Sequence, residues 1–511
     1  LRAALQPALL LSCILLLCAR ACRQARAMRG AAVHGRSPPG PFAWPLVGNA
    51  LQLGRLPHLA FVRLARRYGD VFQLRLGRRR VVVLNGEGPI RRALVGQGAR
   101  FAGRPDFPSF RLVSGGRSVA FGQLTARWRA RRRLAHTALR ACSTADAQGR
   151  QTVERHVVGE AQDLVQLFLR LSRGGAYFEP CPHLVVANAN VIAALCFGRR
   201  YSHGDSEFLA LLGRNDRFGQ TVGAGSLVDV LPWLQHFPNP VRRVFCDFQA
   251  LTRELHSFVC DKVAQHRRTF EPGIIRDVSD AVIAATERGN GPPSGLGPDD
   301  VEGAVADIFG AGQDTTSTAL SWVLLLLLKH PQLQHDLQEE LDRVVGRSRL
   351  PTSEDRPSLP RLEAFIYETL RYSSFVPLTI PHATTTDVEL DGFYIPKDTV
   401  VFVNQWSVNH DCHKWHEPQR FDPSRFLDAQ QHLDRDRACR VMIFSAGQRR
   451  CIGDQLSKLQ IFLFTAILLH QCSFYANPAE HLTMDCIHGL TLKPLPFTVT
   501  VKQRQPSLTA L

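Results

Sequence analysis

Near its C-terminus the chain runs Phe444-Ser445-Ala446-Gly447-Gln448-Arg449-Arg450-Cys451-Ile452-Gly453, followed by a helix pattern through His470 that reads as amphipathic. No other stretch constrains the fold as tightly. One cysteine lies in a glycine-bounded loop with arginines beside it, immediately ahead of a helix. Backbone N–H groups and the positive end of that helix stabilise a thiolate there. A thiolate in such a loop can bind iron, and glycines let the backbone pass close to a flat macrocycle. The competing explanation is a buried structural cysteine, the usual fate of a free thiol.

Such a loop needs a large body to hold it, and the composition supplies one. Of 511 residues 45% are apolar and 21% charged, which excludes a disordered chain. The 38 Gly and 31 Pro show no period, which excludes collagen-like and low-complexity classes, and no internal repeat is visible. At roughly 150 residues per domain the length suggests about three domains, though one large enzyme fold fits equally well. Helical periodicity marks the stretch around Arg63–Tyr68, Gln151–Ser172 and Phe245–Arg268. Strand-like runs are shorter: Val81–Leu84, Val388–Ile395 broken by Asp391-Gly392, Thr399–Asn404 and Phe497–Val501. Gly289–Asp300 reads as a loop ahead of a long helix. In that helix Ala319–Leu328 gives only ten uncharged residues before Lys329, too few to cross a membrane, so a buried central helix ending near Pro331 is expected. The fold class is therefore mainly α with small β-sheets, an α+β body.

Ala3–Ala19 is a run of seventeen residues whose only polar side chains are Gln6 and Ser12, the lower limit for a membrane span of roughly 17–25 residues. Arg20, Arg23, Arg26 and Arg29 follow and keep their side cytosolic by the positive-inside rule, with the N-terminus crossing to the lumen. The net charge of +17 (62 − 45) is concentrated early, with ten arginines ahead of the first acid, Asp70. Anionic lipid is the first reading of that excess, and nucleic acid the weakest, because no zinc-finger or RNA-recognition signature accompanies it. A cleaved secretory signal is the rival, but its cleavage site would fall among arginines. Thirteen scattered cysteines, odd in number, fit a reducing, cytosol-facing body. Ser37-Pro38-Pro39-Gly40-Pro41, with Pro45 behind, ends any helix in a stiff spacer. The expected division is 1–28 membrane anchor and basic flank, 29–45 proline-rich hinge, and 46–511 catalytic domain.

Three further patterns carry chemistry. Glu368-Thr369-Leu370-Arg371 places an acid and a base three apart on one helix face, a weak signal alone. Ala311-Gly312-Gln313-Asp314-Thr315-Thr316 puts an acid and hydroxyls in mid-helix, where they compete for backbone hydrogen bonds, so a site is the better explanation than packing. Trp128-x-x-x-Arg132 means nothing singly.

The loop matches, at every defined position, the Phe-x-x-Gly-x-Arg-x-Cys-x-Gly haem loop, and the chain resembles the cytochrome P-450 monooxygenases. The resemblance implies a long central helix over haem b, with Cys451 as axial iron ligand and Phe444, Gly447 and Gly453 shaping its loop. Glu368 and Arg371 become a structural pair locked by Arg425 in Phe421–Phe426. Thr315 opens the helix groove for O2 and water, and Asp314 relays protons as a positioned acid. Trp128, Arg132, Arg449 and His382 hold the haem propionates, for which bidentate arginines are suited. Arg129, Arg131 and Arg133 form a solvated basic face for an acidic redox partner.

Gly40–Leu46, Arg66–Phe72, Thr221–Val228 and Phe402–His410 look like the vertebrate family-one enzymes, the B and C subfamilies above all. The departures are a first residue other than Met, Gly312 where some relatives carry Ser, a loose match over Pro272–Asp300, and Leu1–Met28, which does not align. By that similarity Phe121, Asn215, Phe218, Gly310, Ala311, Val376 and Leu490 line the substrate pocket and select planar apolar molecules. The implied activity is NADPH- and O2-dependent hydroxylation or epoxidation of polycyclic aromatic hydrocarbons, steroids such as estrogens, fatty acids or retinoids, and xenobiotics. Electrons arrive from NADPH through a separate diflavin reductase, with cytochrome b5 as a further donor, because no flavin or Rossmann signature is present. The implied location is the endoplasmic reticulum membrane with the catalytic domain facing the cytosol, and a minor mitochondrial pool is the reading of the arginine-rich, acid-free start. The alternatives are a haem-thiolate isomerase or lyase acting on peroxides, which can do without the acid–hydroxyl pair, and a non-catalytic haem-binding sensor.

Overall fold

The computed structural model describes Ala19 and residues 35–222, 227–288 and 296–504. Apart from Ala19, the anchor expected at 1–28 lies outside the described residues, as do 29–34 of the hinge and 289–295 of the glycine-rich loop. Among the described residues no helix is long and apolar enough to cross a membrane. The proline-rich stretch is tied to the body from Arg36 onward, since Tyr394 N–H donates to the Arg36 carbonyl and Gln73 N–H to that of Pro39, both at 2.8 Å.

Helices dominate: α1 Pro57–Tyr68, α2 Ala126–Ala141, α3 Ala147–Leu171, α4 Cys181–Phe197, α5 Ser206–Val222, α6 Pro240–Arg268, α7 Val278–Arg288, α8 Pro298–Lys329, α9 Pro331–Val345, α10 Pro360–Ser373 and α11 Asp454–Gln471. The organising element is α8. Pro298 occupies its first turn, where a missing N–H costs nothing, and Asp299 and Asp300 face the positive end. The expected loop therefore stops at Gly297, three residues short of Asp300. At the far end Pro331 cannot continue α8 and opens α9 instead. From Thr316 to Leu328 every residue of α8 is buried, because α4, α7, α10 and α11 pack around it. The same enclosure corrects the amphipathic reading of α11. Every residue from Leu459 to His470 is buried there, since α3, α8, α9 and α10 leave that stretch no solvent face.

The strands are β1 Val71–Leu76, β2 Arg79–Leu84, β3 His382–Ala383, β4 Val388–Leu390, β5 Phe393–Ile395, β6 Val400–Val403, β7 Cys472–Ala476, β8 Cys486–His488, β9 Leu492–Pro494 and β10 Val499–Gln503. One sheet runs β1-β2-β6-β3, with β2 parallel to β6 and Val83 opposite Phe402; the others are two-stranded. The break at Asp391-Gly392 is a hairpin turn with positive φ at both residues, 53° and 76°, the pair that suits Asp-Gly. β1, β3 and β7–β9 lie outside the sequence reading; β3 and β7 draw on the more distant β6 and β10, whereas β1 pairs with β2 and β8 with β9 across short turns that carry no strong turn signal.

α10 is locked to the loop around Pro423. Arg371 donates to the Glu368 carboxylate through Nε at 2.6 Å and Nη2 at 2.8 Å. Arg425 Nε adds 3.1 Å to the same carboxylate and the Asp422 N–H 2.9 Å. Arg371 also donates to the carbonyls of Asn409 and Pro418, at 2.8 and 3.0 Å. Both Glu368 and Arg371 are fully buried, so each needs every one of these partners. Arg371→Leu leaves the carboxylate buried beside a single cation and should cost about 3–5 kcal/mol of stability, read as a lowered urea midpoint; an unchanged midpoint would remove the pair from its structural role.

Candidate active site

The loop before α11 closes on itself, with Cys451 N–H donating to the Phe444 carbonyl at 2.9 Å and Arg450 N–H to that of Gly447 at 3.1 Å. Gly447 has φ +70°, and a Cβ there would stand 1.8 Å from the Leu94 carbonyl oxygen, so no side chain fits. Gly453 caps α11, and its N–H faces the Cys451 sulfur. The sulfur opens onto a cavity. Burial pushes the Cys451 thiol up, and Asp454 adds to this, while the Gly453 N–H, Arg132 and Arg450 pull the other way. Coordination to a metal ion would take the proton off outright.

The cavity holds about 370 Å³ and is largely apolar. Phe121, Asn215, Phe218, Gly310, Ala311, Val376 and Leu490 all line it, together with Phe444 and Cys451. Phe121 meets Phe110 and Phe218 edge-on, at 4.9 and 6.3 Å between centroids, and Phe218 stacks on Phe248 at 5.5 Å. Across from them Gly310 and Ala311 on α8 present almost no side chain, which leaves a slot. Asn215 Nδ2 donates to the Gly310 carbonyl at 3.3 Å and ties α5 to that wall. Gly312 is confined by α4, where a Cβ would meet Ile192 Cδ1 at 2.9 Å.

The acid and the hydroxyl of α8 part company. Thr315 Oγ1 donates to the Ala311 carbonyl at 2.8 Å, one turn back. Asp314 takes an ion pair from Lys493 Nζ at 2.6 Å and a hydrogen bond from Thr491 Oγ1 at 3.0 Å. Lys493, on β9, also pairs with Asp216 on α5. Burial would lower the Lys493 pKa, but Asp314 and Asp216 outweigh it and hold it above the ordinary value. Nothing near Lys493 in sequence marks it, because its partners lie on α5 and α8.

A cluster of cations stands over the same cavity. Arg449 donates to the carbonyls of Ala102, Val119 and Gly122 at 2.9, 3.1 and 2.8 Å, and its guanidinium stacks 3.8 Å from the Trp128 ring. Trp128 gives its indole N–H to the Val119 carbonyl at 2.8 Å, rather than holding it out to the cavity. Arg132, one turn along α2, donates to the Arg450 carbonyl. His382 Nδ1 meets the Phe101 carbonyl at 2.8 Å. Arg104, which the sequence reading missed, reaches the carbonyls of Ala120, Ile380 and Pro381 at 2.9, 2.8 and 2.9 Å. Among the described residues none of Arg104, Arg132 and Arg449 forms an ion pair. Burial pushes all three guanidinium pKa values down, and Arg132 adds to the effect on Arg104 and Arg449. An arginine keeps its proton, so the cluster calls for an anion. A flat macrocycle with carboxylate arms and an iron facing Cys451 fits these donors and walls.

On the far side of Cys451 an open groove of about 1720 Å³ is rimmed by Arg129, Arg133, Arg140 and Arg450, all exposed. Arg131 does not belong to it. On the helix it points the other way, is buried, and lies 3.3 Å from Asp300, because residues two apart occupy nearly opposite faces.

A family model described as Cytochrome P450 matches residues 38–501. Cytochrome P450 1B1 of Homo sapiens is 55% identical over 475 residues, covering 92% of this chain and 88% of that protein. The Mus musculus protein of the same name is 54% identical over 475 residues, with the same 92% and 88% coverage. Cytochrome P450 1A1 of Cavia porcellus is 46% identical over 465 residues, 90% of each chain.

Gly447→Ala should drive a methyl group into the Leu94 carbonyl and displace the loop. The expected result is folded chain with haem content reduced to a minor fraction, checked by absorbance per mole of protein; full occupancy would mean that the loop tolerates a side chain.

Proposed function

This chain belongs to the cytochrome P450 family and is a haem-thiolate monooxygenase, and we propose that it hydroxylates or epoxidises planar lipophilic molecules lying in the slot between Phe121, Phe218 and the bare face of α8. The observation that carries the proposal is that slot, aromatic on one side and nearly free of side chains on the other. Rigid ring systems gain contact there at little entropic cost, and aromatic neighbours favour offset or edge-on stacking. Polycyclic aromatic hydrocarbons and steroids such as estrogens have that shape, as do many xenobiotics; fatty acids and retinoids fit less closely. Asn215 and Thr315 are among the polar groups at the walls.

Cys451 would hold the iron of haem b and Arg104, Arg132, Arg449 and His382 its propionates, and the bound group would supply O2 activation, to which the thiolate would contribute electron density. Arg449 presses on Trp128 and holds the cation cluster in place. The Phe444 carbonyl and the Gly453 N–H orient the Cys451 backbone and sulfur. Thr315 Oγ1 is positioned to exchange its bond with the Ala311 carbonyl for one with water in the cavity. Asp314 hands protons toward it, with Lys493 and Thr491 governing how freely the carboxylate turns. Val376, Leu490 and Ala311 exclude bulk water from the reacting face.

Two electrons come from NADPH through an acidic diflavin reductase, with cytochrome b5 as a further donor, docked on the groove of Arg129, Arg133, Arg140 and Arg450. Residues 1–28 anchor the chain in the endoplasmic reticulum membrane, 29–45 connect, and 46–511 form the catalytic domain. Support for the membrane comes from Trp44, Leu46, Leu51, Trp233 and Phe237, all exposed. They share one flank, since Gly48 pairs with Leu76 and the backbone of Gly77 abuts Val230.

Purified protein with reductase and NADPH should convert an estrogen and a polycyclic hydrocarbon to oxygenated products; product from a lipid peroxide alone would replace the monooxygenase by the isomerase reading. Cys451→Ala should lose the reduced-CO band of thiolate ligation, and a retained band would move the ligand elsewhere. Thr315→Ala should still bind substrate and consume NADPH while diverting electrons to hydrogen peroxide. Unchanged coupling, measured as product per NADPH, would exclude Thr315 from proton delivery.

A further inference from the structure

Away from the cation cluster, at the roof of the cavity, three potential ligands of different types converge. His256 and Cys260 are four residues apart on one face of α6, and Glu302 stands opposite them in the first turns of α8. One ligand atom from each lies within 4.8 Å of the others. We propose that His256, Cys260 and Glu302 bind a zinc ion that clamps α6 to α8.

The distances fit. His256 Nε2 lies 3.6 Å from Cys260 Sγ, and Cys260 Sγ lies 3.5 Å from Glu302 Oε2. A tetrahedral zinc with its usual bond lengths has a nitrogen–sulfur edge of about 3.6 Å and an oxygen–sulfur edge of about 3.5 Å. Space is present beside the imidazole because residue 115 is glycine; a Cβ there would stand 2.7 Å from Nε2. Water completes the fourth position, as in sites with three protein ligands.

Hydrogen bonding alone leaves this cluster poorly served. His256 Nδ1 is buried without a partner among the described residues, and its Nε2 has only the long contact to sulfur. Glu302 forms no ion pair among the described residues. Asp261 adds to the negative field of Glu302 at Cys260, while Asp299 is already paired with Arg117. A divalent cation would answer the field and take the thiol proton. The neighbouring cluster of His266, Asp277 and Asp280 lacks this deficit, since Arg276 pairs with Asp280 at 2.6 Å and His266 with Asp277 at 2.6 Å. His256 also lines the substrate cavity, beside Thr252, Leu255 and Val259, so zinc would fix the roof over the slot.

The test uses full-length holoenzyme stripped with a chelator, then equilibrated with zinc chloride and desalted. Elemental analysis should give one zinc per haem, lost in Cys260→Ser, His256→Ala and Glu302→Gln while the reduced-CO spectrum is retained. Site-resolved alkylation of the wild-type chain should show Cys260 protected by zinc, with the exposed Cys246 and Cys439 reacting equally with and without it. The alkylation arm stands even where a variant fails to fold. Absence of zinc from the wild type, equal zinc in all three variants, or Cys260 labelling indifferent to zinc would overturn the proposal.

Discussion

Two buried guanidiniums, Arg104 and Arg449, and the half-buried Arg132, with no acid among the described residues to meet them, are the constraint on which the rest of this structure depends. Arg104, Arg132 and Arg449 satisfy their N–H groups on backbone carbonyls, which answers hydrogen bonding but not charge. Burying uncompensated charge is costly at any protein interior. The chain therefore encloses a demand for an anion, set over the Cys451 sulfur, which opens onto the same cavity. Both are met by one prosthetic group with carboxylate arms and a central iron.

α8 is the shared wall of the substrate cavity, the acid–hydroxyl pair and the His256–Cys260–Glu302 cluster. Its middle supplies the bare strip at Gly310 and Ala311, the Thr315 hydroxyl and the Asp314 carboxylate. Its buried half from Thr316 onward is the ridge on which α4, α10 and α11 are assembled. Its first turns carry Glu302 toward α6. Asp314 is also the point where the roof is tied down, because Lys493 reaches from β9 to Asp314 on α8 and to Asp216 on α5. Two carboxylates thus share one ammonium, which ties β9 and α5 to α8 beside the cavity.

Much of the site was legible beforehand for a local reason. The Cys451 loop, the Glu368–Arg371 spacing, the Asp314-Thr315 anomaly and the Asp391-Gly392 turn each lie within a few residues, where backbone geometry alone dictates which residue types are tolerated. All seven pocket residues inferred from family likeness line the cavity. The misreadings are of another kind. Arg131 was grouped with its neighbours on a basic face although the helix turns it inward to Asp300, and α11 was read as half-exposed although four helices surround it. Arg104 and Lys493 escaped notice because neither belongs to any pattern with its neighbours.

The sequence by itself determined where the metal-binding loop, the central helix and the hairpin lie, since glycines, prolines and apolar periodicity act on a residue through its immediate neighbours. It also sufficed for the family. Only the tertiary structure decided which charges remain unpaired, that Lys493 joins Asp314 to Asp216, and that His256 and Cys260 face Glu302. Periodicity specifies the face on which a side chain stands; what stands opposite is settled by the packing of segments tens to hundreds of residues apart.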